Sequence, residues 1–291
     1  MVSTNITKTH CDISFEWKKG RCLVKDQDVA YILPNDQKEV ERLHLNHLMF
    51  KNVLGGLYKS PMHEQLQKGI RVLDIGCGPG MWTLDMARLY PNSEFIGVDM
   101  ANVFLTEDMP PNVKFQILNA GTGLDYFEDN SFNFVFQRFL LMGFPVEQYI
   151  RSVQEMKRIL KPGGYIEVME LINEYRNGGP ALKNMDGWIN QALVARNMDS
   201  FIAEKISTFF LDAEFRDIED INYDVPIGPW GGELGNMYLG VQHLALPAVK
   251  VMINELTSVT NEEYEANLEE AFKEFNTREI STRFKLVYAH K

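Results

Sequence analysis

Asp74, Gly76, Gly78 and Gly80 stand in the run Val72-Leu73-Asp74-Ile75-Gly76-Cys77-Gly78-Pro79-Gly80-Met81-Trp82-Thr83. An apolar stretch reaches an acid, and three glycines then alternate before a helical pattern begins. Glycine at such positions lets a ligand approach the backbone, and some turn positions call for positive φ. The helix that follows offers unpaired N–H groups and a positive dipole end, which suit a carboxylate or a phosphate. A dinucleotide site spaces its glycines G-x-G-x-x-G to seat a pyrophosphate. Here the spacing is G-x-G-x-G, one residue shorter, with an acid two residues before the first glycine. That acid repels a pyrophosphate and can face an ammonium group.

Further polar residues fall at intervals that fit the same crevice. Asp99 ends the next β-rich run, near the ~20-residue spacing at which an acid takes ribose hydroxyls. Asn119 follows the third run, where its amide can meet an adenine edge or act as a turn former before Gly121. Gln137 and Arg138 end the fourth run, beside the crevice or in a structural network with nearby acids. These positions are carboxyl ends of strands, where open α/β sheets bind ligands. An ammonium, a ribose and an adenine together describe S-adenosylmethionine.

The elements that must position these residues alternate. Strands are expected at Arg71–Asp74, Glu94–Asp99, Val113–Leu118, Asn133–Gln137 and Tyr165–Glu170. Helices are expected at Trp82–Tyr90 and Val146–Leu160, the latter stopped by Lys161-Pro162-Gly163-Gly164. Such alternation implies parallel βαβ units in a doubly wound sheet. Before them, Val40, Leu43, Leu45, His47, Leu48 and Val53 recur at helical spacing until Gly55-Gly56, and a short helix is expected over Pro61–Lys68. After them comes a helix near Trp188–Asp212, a β-like run at Phe215–Val225, helices near Leu234–Leu256 and Asn261–Asn276, and a last strand at Arg283–His290. The expected organisation is a loose arm at 1–27, a helical lid at 28–68 and a cofactor-binding core at 69–227. A helical insertion at 228–279 covers the site, and 280–291 returns to the sheet.

The run from Arg71 to Glu170 resembles class I S-adenosylmethionine-dependent methyltransferases, with Leu160-Lys161-Pro162-Gly163-Gly164 as a second signature. Tyr31-Ile32-Leu33-Pro34-Asn35-Asp36, Arg42-Leu43, Trp82-Thr83, Asn133–Arg138 and Ile227-Gly228-Pro229-Trp230 are similar to the fungal secondary-metabolism and regulator-like members. The resemblance implies a Rossmann-like seven-stranded sheet, mostly parallel with an antiparallel last strand. It also implies that Asp74 and Gly76 hold the methionine amine, that Gly78 and Gly80 give the cofactor room, and that Asp99 binds the ribose with Met100 beside the adenine. Cys77, Trp82, Thr83, Ala120, Gln137 and Arg138 complete the expected cofactor set, with S-adenosylhomocysteine as product. Many members carry an acid where this chain has Asn119.

Among other residues, Tyr31, His47, Trp230 and Tyr238 are candidates for an acceptor pocket, although aromatic residues more often pack in a core. His44 and His47 sit one turn apart, but no third ligand or H-E-x-x-H pattern accompanies them, so no metal is expected. The Asn/Asp-Pro-Pro-aromatic motif of amide and nucleobase N-methylation is absent; Phe139-Leu140-Leu141-Met142 stands there instead. No catalytic residue is singled out.

The 291 residues carry a net charge of -11 and show no basic stripe, which argues against a nucleic-acid partner. No apolar stretch approaches the ~18 residues of a membrane span. The polar first 19 residues suggest no signal segment, so the expected location is cytoplasmic or nuclear. Cys11, Cys22 and Cys77 match neither a zinc spacing nor a disulfide framework. A small-molecule acceptor is the first expectation and a protein side chain the second. A regulatory S-adenosylmethionine-binding protein and a nicotinamide-dependent oxidoreductase remain the alternatives.

Overall fold

The computed structural model describes residues 37–291, and the backbone of two short strands before them, β1 (Phe15–Lys18) and β2 (Arg21–Val24). Those two pair antiparallel, so the stretch expected to be a loose arm contains a β-hairpin. Its alternation is too short to register as a period, which is why the sequence shows little pattern there.

Helix α1 (Gln37–Leu54) ends against Gly55, whose φ of +59° closes it. A six-residue helix, α2 (His63–Lys68), leads into the alternating core. There β3 (Arg71–Ile75), α3 (Met81–Leu89), β4 (Glu94–Asp99), β5 (Val113–Ile117), β6 (Phe132–Arg138), α4 (Val146–Ile159) and β7 (Leu160–Arg176) follow in order. The chain continues through α5 (Pro180–Val194), α6 (Ile206–Asp212), β8 (Arg216–Ile227), α7 (Gly232–Leu256), α8 (Asn261–Thr277) and β9 (Ile280–His290).

Seven strands make one sheet in the order β5-β4-β3-β6-β7-β9-β8. β3 to β7 run parallel to their neighbours, while β9 is antiparallel to both β7 and β8. The order reverses direction at β3, and the crevice over β3, β4 and β6 is therefore the switch point of the sheet. Its central strands are almost wholly apolar and covered on both faces, as parallel strands require.

β7 is longer than the expected strand. Beyond Glu170 it pairs with β9 from Leu171↔Phe284 to Arg176↔Ser281, which carries both strands past the ends of the parallel ones. Helices α1, α5 and α7 pack over this extension in one apolar cluster that includes Phe50, Ile189, Tyr238 and Phe284. The single helix expected near Trp188–Asp212 is two helices. Pro180 starts α5 at its first turn, and the chain leaves helical geometry at Asn197 (φ +57°), after which the Asp199 carboxylate takes the Phe201 N–H. Among the described residues no helix is long and apolar enough to cross a membrane, and no cluster of metal-ligating side chains occurs.

Candidate functional site

Two cavities open at the carboxyl ends of the parallel strands. The larger, about 200 Å³, is lined by the glycine turn, the end of β6, α1, the β7/β9 extension and α7. The smaller is lined by Met100, Leu118, Asn119 and Ala120. They share Gly76, Asp99 and Leu140, so one elongated ligand can occupy both.

Asp74 lies on the larger cavity at 4 % exposure. Its Oδ2 accepts from Thr83 Oγ1 at 2.6 Å. Burial pushes its pKa up to about 7, although that hydrogen bond and the charge of Arg138 pull the other way. Among the described residues no cation forms an ion pair with this carboxylate, and Arg138 acts on it only from a distance. Thr83 is fully buried and does not line the cavity; it acts by fixing Asp74.

Asp99 holds the turn together. Its Oδ2 accepts from the Gly78 N–H at 2.8 Å and its Oδ1 from the Ala101 N–H at 2.9 Å. Burial raises its pKa despite those two backbone donors. Gly76 and Gly78 line the cavity, but Gly80 does not. A Cβ on Gly80 would meet the Phe115 ring at 2.2 Å, and its φ of +87° is a left-handed helix start. The third glycine therefore serves helix–strand packing, and the expectation that it makes room for a ligand is corrected. Cys77 lines the cavity, its thiol directed to the Gly78 carbonyl and its pKa raised by burial.

Strand alternation separates Gln137 from its neighbours. Phe136 and Arg138 face the larger cavity, whereas Gln137, at 0 % exposure, points to α4 and accepts from Ser152 Oγ. Its place in the expected cofactor set is corrected on that ground. Trp82 stacks on Phe136 with ring centroids 3.8 Å apart, and its indole donates to the Leu57 carbonyl at 2.7 Å. It forms part of the cavity floor.

Asn119 does two things. It lines the smaller cavity, and its Oδ1 accepts from the Gly121 N–H at 3.0 Å, the turn-forming contact. Of the acceptor candidates, His47 and Tyr238 line the larger cavity, and Tyr31 lies outside the described residues. Trp230 is elsewhere: it is 47 % exposed and donates to the carbonyls of Ile227 and Ile280, tying the end of β8 to the start of β9. Trp230→Phe is expected to lower stability by about 1 kcal/mol and leave ligand affinity unchanged, as melting and calorimetry will report.

Several cavity residues went unmarked in the sequence. Glu170 is fully buried and takes the N–H groups of Leu140 and Leu141 and the Tyr149 hydroxyl, holding the loop after β6. Burial pushes its pKa up to about 7. Asn46 on α1, Asn173 and Tyr175 on β7 and Gln242 on α7 add polar lining beside Arg42, Glu174 and Thr282, with Tyr175 Oη donating to Gln242 Oε1 at 2.7 Å. No local signal marks them, because α1, β7 and α7 meet only in the folded chain.

Residues 72–164 match the methyltransferase domain family. The chain carries a class I S-adenosylmethionine-dependent methyltransferase domain. It is 33% identical over 155 residues to the secondary metabolism regulator laeA of Coprinopsis cinerea, covering 52% of this chain and 38% of that protein. It is 22% identical over 282 residues to the N-methyltransferase gliN of Aspergillus fumigatus, covering 92% of this chain and 99% of that protein. The chain thus spans well under half the length of the first relative and nearly all of the second. In fold it is similar to Haemonchus contortus phosphoethanolamine N-methyltransferase 2 bound to S-adenosylhomocysteine. That likeness has a TM-score of 0.52 at 17% identity over 88% of this chain and 58% of that one.

The methyltransferase domain's cofactor is S-adenosylmethionine, and the residues present fit it. A buried carboxylate without an ion pair, a carboxylate at the junction of two cavities, and two glycines on the cavity wall suit an ammonium, a ribose and a thioether chain in that order.

Proposed function

We propose that this chain moves a methyl group from S-adenosylmethionine to a nitrogen or oxygen atom of a small molecule held in the larger cavity. The observation that carries the reading is the pair of cavities joined at Gly76 and Asp99. Asp74 would take the ammonium, Asp99 the ribose hydroxyls, and Met100, Asn119 and Ala120 the adenine. When bound, the sulfonium supplies an electrophilic methyl group, so the protein's part is placement and exclusion of water.

The lining supports orientation in preference to base catalysis. His47 has both ring nitrogens engaged, by Arg138 and Asp85, and Glu170 has both oxygens engaged by backbone N–H groups. An acceptor that is already nucleophilic needs only to be aimed. The apolar far wall of Ile189, Val241, Leu246, Val249 and Phe284 favours a small molecule over a protein side chain. The name of gliN favours nitrogen as the acceptor atom. In this reading α1 and α7 form the lid, since both line the cavity.

A second reading has one supporting observation, the resemblance to the regulator laeA. There the same cofactor site would serve a protein that acts through partners. Calorimetric titration with S-adenosylmethionine, S-adenosylhomocysteine and NADH tests both against an oxidoreductase. Micromolar binding of the two sulfur nucleosides and none of NADH is expected. Asp99→Ala should weaken the nucleosides on the order of 100-fold, because charged hydrogen bonds to the ribose are lost. Binding of NADH alone would sink the methyltransferase reading, and nucleoside binding without turnover on any acceptor would favour the regulator.

A further inference from the structure

Arg138 carries a positive charge that Asp74 and Glu167 attract from a distance but that no carboxylate among the described residues meets in an ion pair. It lies on the wall of the larger cavity, with its guanidinium carbon 5.4, 5.9 and 6.0 Å from the ring centroids of Phe139, Phe136 and Phe50. Burial pushes its pKa down to about 10, against the attraction of Asp74 and Glu167. Among the described residues no carboxylate forms an ion pair with it, and its polar side-chain contact is with His47. Aromatic faces attract a cation but do not neutralise it.

The contact with His47 has a direction. A guanidinium only donates, so Nη2–H donates to His47 Nδ1 at 3.3 Å and that nitrogen carries no proton. Burial first, then the charge of Arg138, push the His47 pKa down to about 4, so the ring is neutral and its proton sits on Nε2. Nε2 faces Asp85 Oδ2 at 3.3 Å, and Lys51 Nζ donates to the same oxygen at 2.8 Å. The chain from Asp85 on α3 through His47 on α1 to Arg138 on β6 fixes the guanidinium against three separate elements. His47 takes one of its five N–H donors, and the remaining four have no acceptor from the described residues.

We propose that Arg138 is a carboxylate-binding subsite of the larger cavity, held in aim by His47 and Asp85. A planar two-oxygen group matches the guanidinium fork, and a single negative charge suits a cavity lined by Asp74, Asp99, Glu170 and Glu174 as well as Arg42. The carboxylate has two sources. One is the aminoacyl end of the cofactor, an assignment that rests on the methyltransferase reading and leaves the ammonium to Asp74. The other is an acid group on the acceptor, which does not depend on it.

Calorimetry separates them. S-adenosylhomocysteine and 5′-methylthioadenosine share a nucleoside, and only the first has the amino-acid end. If the cofactor is the source, Arg138→Met weakens S-adenosylhomocysteine by about 10- to 100-fold and leaves methylthioadenosine unchanged. His47→Phe gives a smaller loss confined to the same ligand, and His47→Asn, which restores an acceptor near Nη2, recovers part of it. If the acceptor is the source, both nucleosides are unaffected. Benzoate binding to the protein saturated with S-adenosylhomocysteine is then lost in Arg138→Met, while benzamide binding stays as in the wild type. Arg138→Lys keeps the charge without the fork and serves if the Met variant does not fold; its loss should be partial and confined to the carboxylate ligand. Equal weakening of both nucleosides, or no effect on S-adenosylhomocysteine and benzoate alike, overturns the subsite. If the wild type binds neither nucleoside, the methyltransferase reading fails, and benzoate and benzamide titrated into the nucleoside-free wild type and Arg138→Met decide the subsite: benzoate binding that survives in the variant overturns it.

Discussion

Asp74→Asn should make the ligand-free protein more stable at pH 8 while removing its affinity for S-adenosylmethionine. In the unfolded chain this carboxyl ionises near 3.8, and in the folded one only at about 7, chiefly because burial penalises the charge. A group whose folded pKa is raised contributes stability below its unfolded pKa and loses it as pH climbs through the folded value. Between about pH 4 and 7 the free protein therefore loses stability at this site, on the order of 4 kcal/mol once the carboxylate is formed. An asparagine keeps an oxygen for Thr83 Oγ1 and never ionises. Its melting temperature should exceed that of the wild type at pH 8 and approach it near pH 4.

With S-adenosylmethionine present the order should reverse, because only the carboxylate can meet the ammonium. A loss of about 100-fold in affinity is expected at pH 8, and wild-type affinity should itself fall as pH drops through 7. A variant that is less stable than the wild type at pH 8, or that binds the cofactor equally well, would show that Asp74 is a structural acid.

Gly80→Ala should act on the fold and not on the ligand. The new Cβ would lie 2.2 Å from Phe115 Cζ and 2.4 Å from Cε1, and that ring is stacked flat against Phe104 at 4.9 Å. It cannot swing aside without breaking the stack. Overpacking costs about 1–3 kcal/mol, and a left-handed φ at a non-glycine residue adds about 1 kcal/mol. Together these predict a fall in melting temperature of about 3–7 °C. Phe115→Leu in the same chain removes the overlap but not the backbone strain, so the double variant should be more stable than the two single losses added together. Gly76→Ala makes the contrast: its Cβ meets the Leu140 side chain at 2.4 Å on the shared wall of both cavities, so ligand affinity should fall with stability. Loss of cofactor affinity in Gly80→Ala without loss of stability would refute the packing role.

The fold was legible because parallel strands must be apolar throughout and separated by helices. Val72–Ile75, Phe95–Val98 and Phe134–Phe136 announce themselves by composition, and the glycine turn marks where the first of them ends. The common position of Asp74, Asp99 and Asn119 was legible for the same reason: they lie at or just past strand ends, and topology places strand ends together. Errors arose where one residue of register matters. Gln137 and Arg138 are adjacent, yet a strand turns them to opposite faces, and only the pairing of β6 with β3 and β7 says which faces the cavity. Gly80 reads like Gly76 and Gly78 until Phe115 from another strand is seen behind it.

By itself, then, the sequence determined the alternating α/β core, the crevice at its switch point and the chemistry of the ligand groups that Asp74 and Asp99 can hold, because each is set by local pattern and strand order. The tertiary structure alone decided the far side of the cavity. Asn46, His47, Asn173, Tyr175, Tyr238 and Gln242 come from α1, β7 and α7, far apart in the chain, and they share a cavity only because β7 and β9 extend past the sheet and the helices pack upon them. The same packing brings Asp85, His47 and Arg138 into one line, an arrangement that no spacing along the chain encodes.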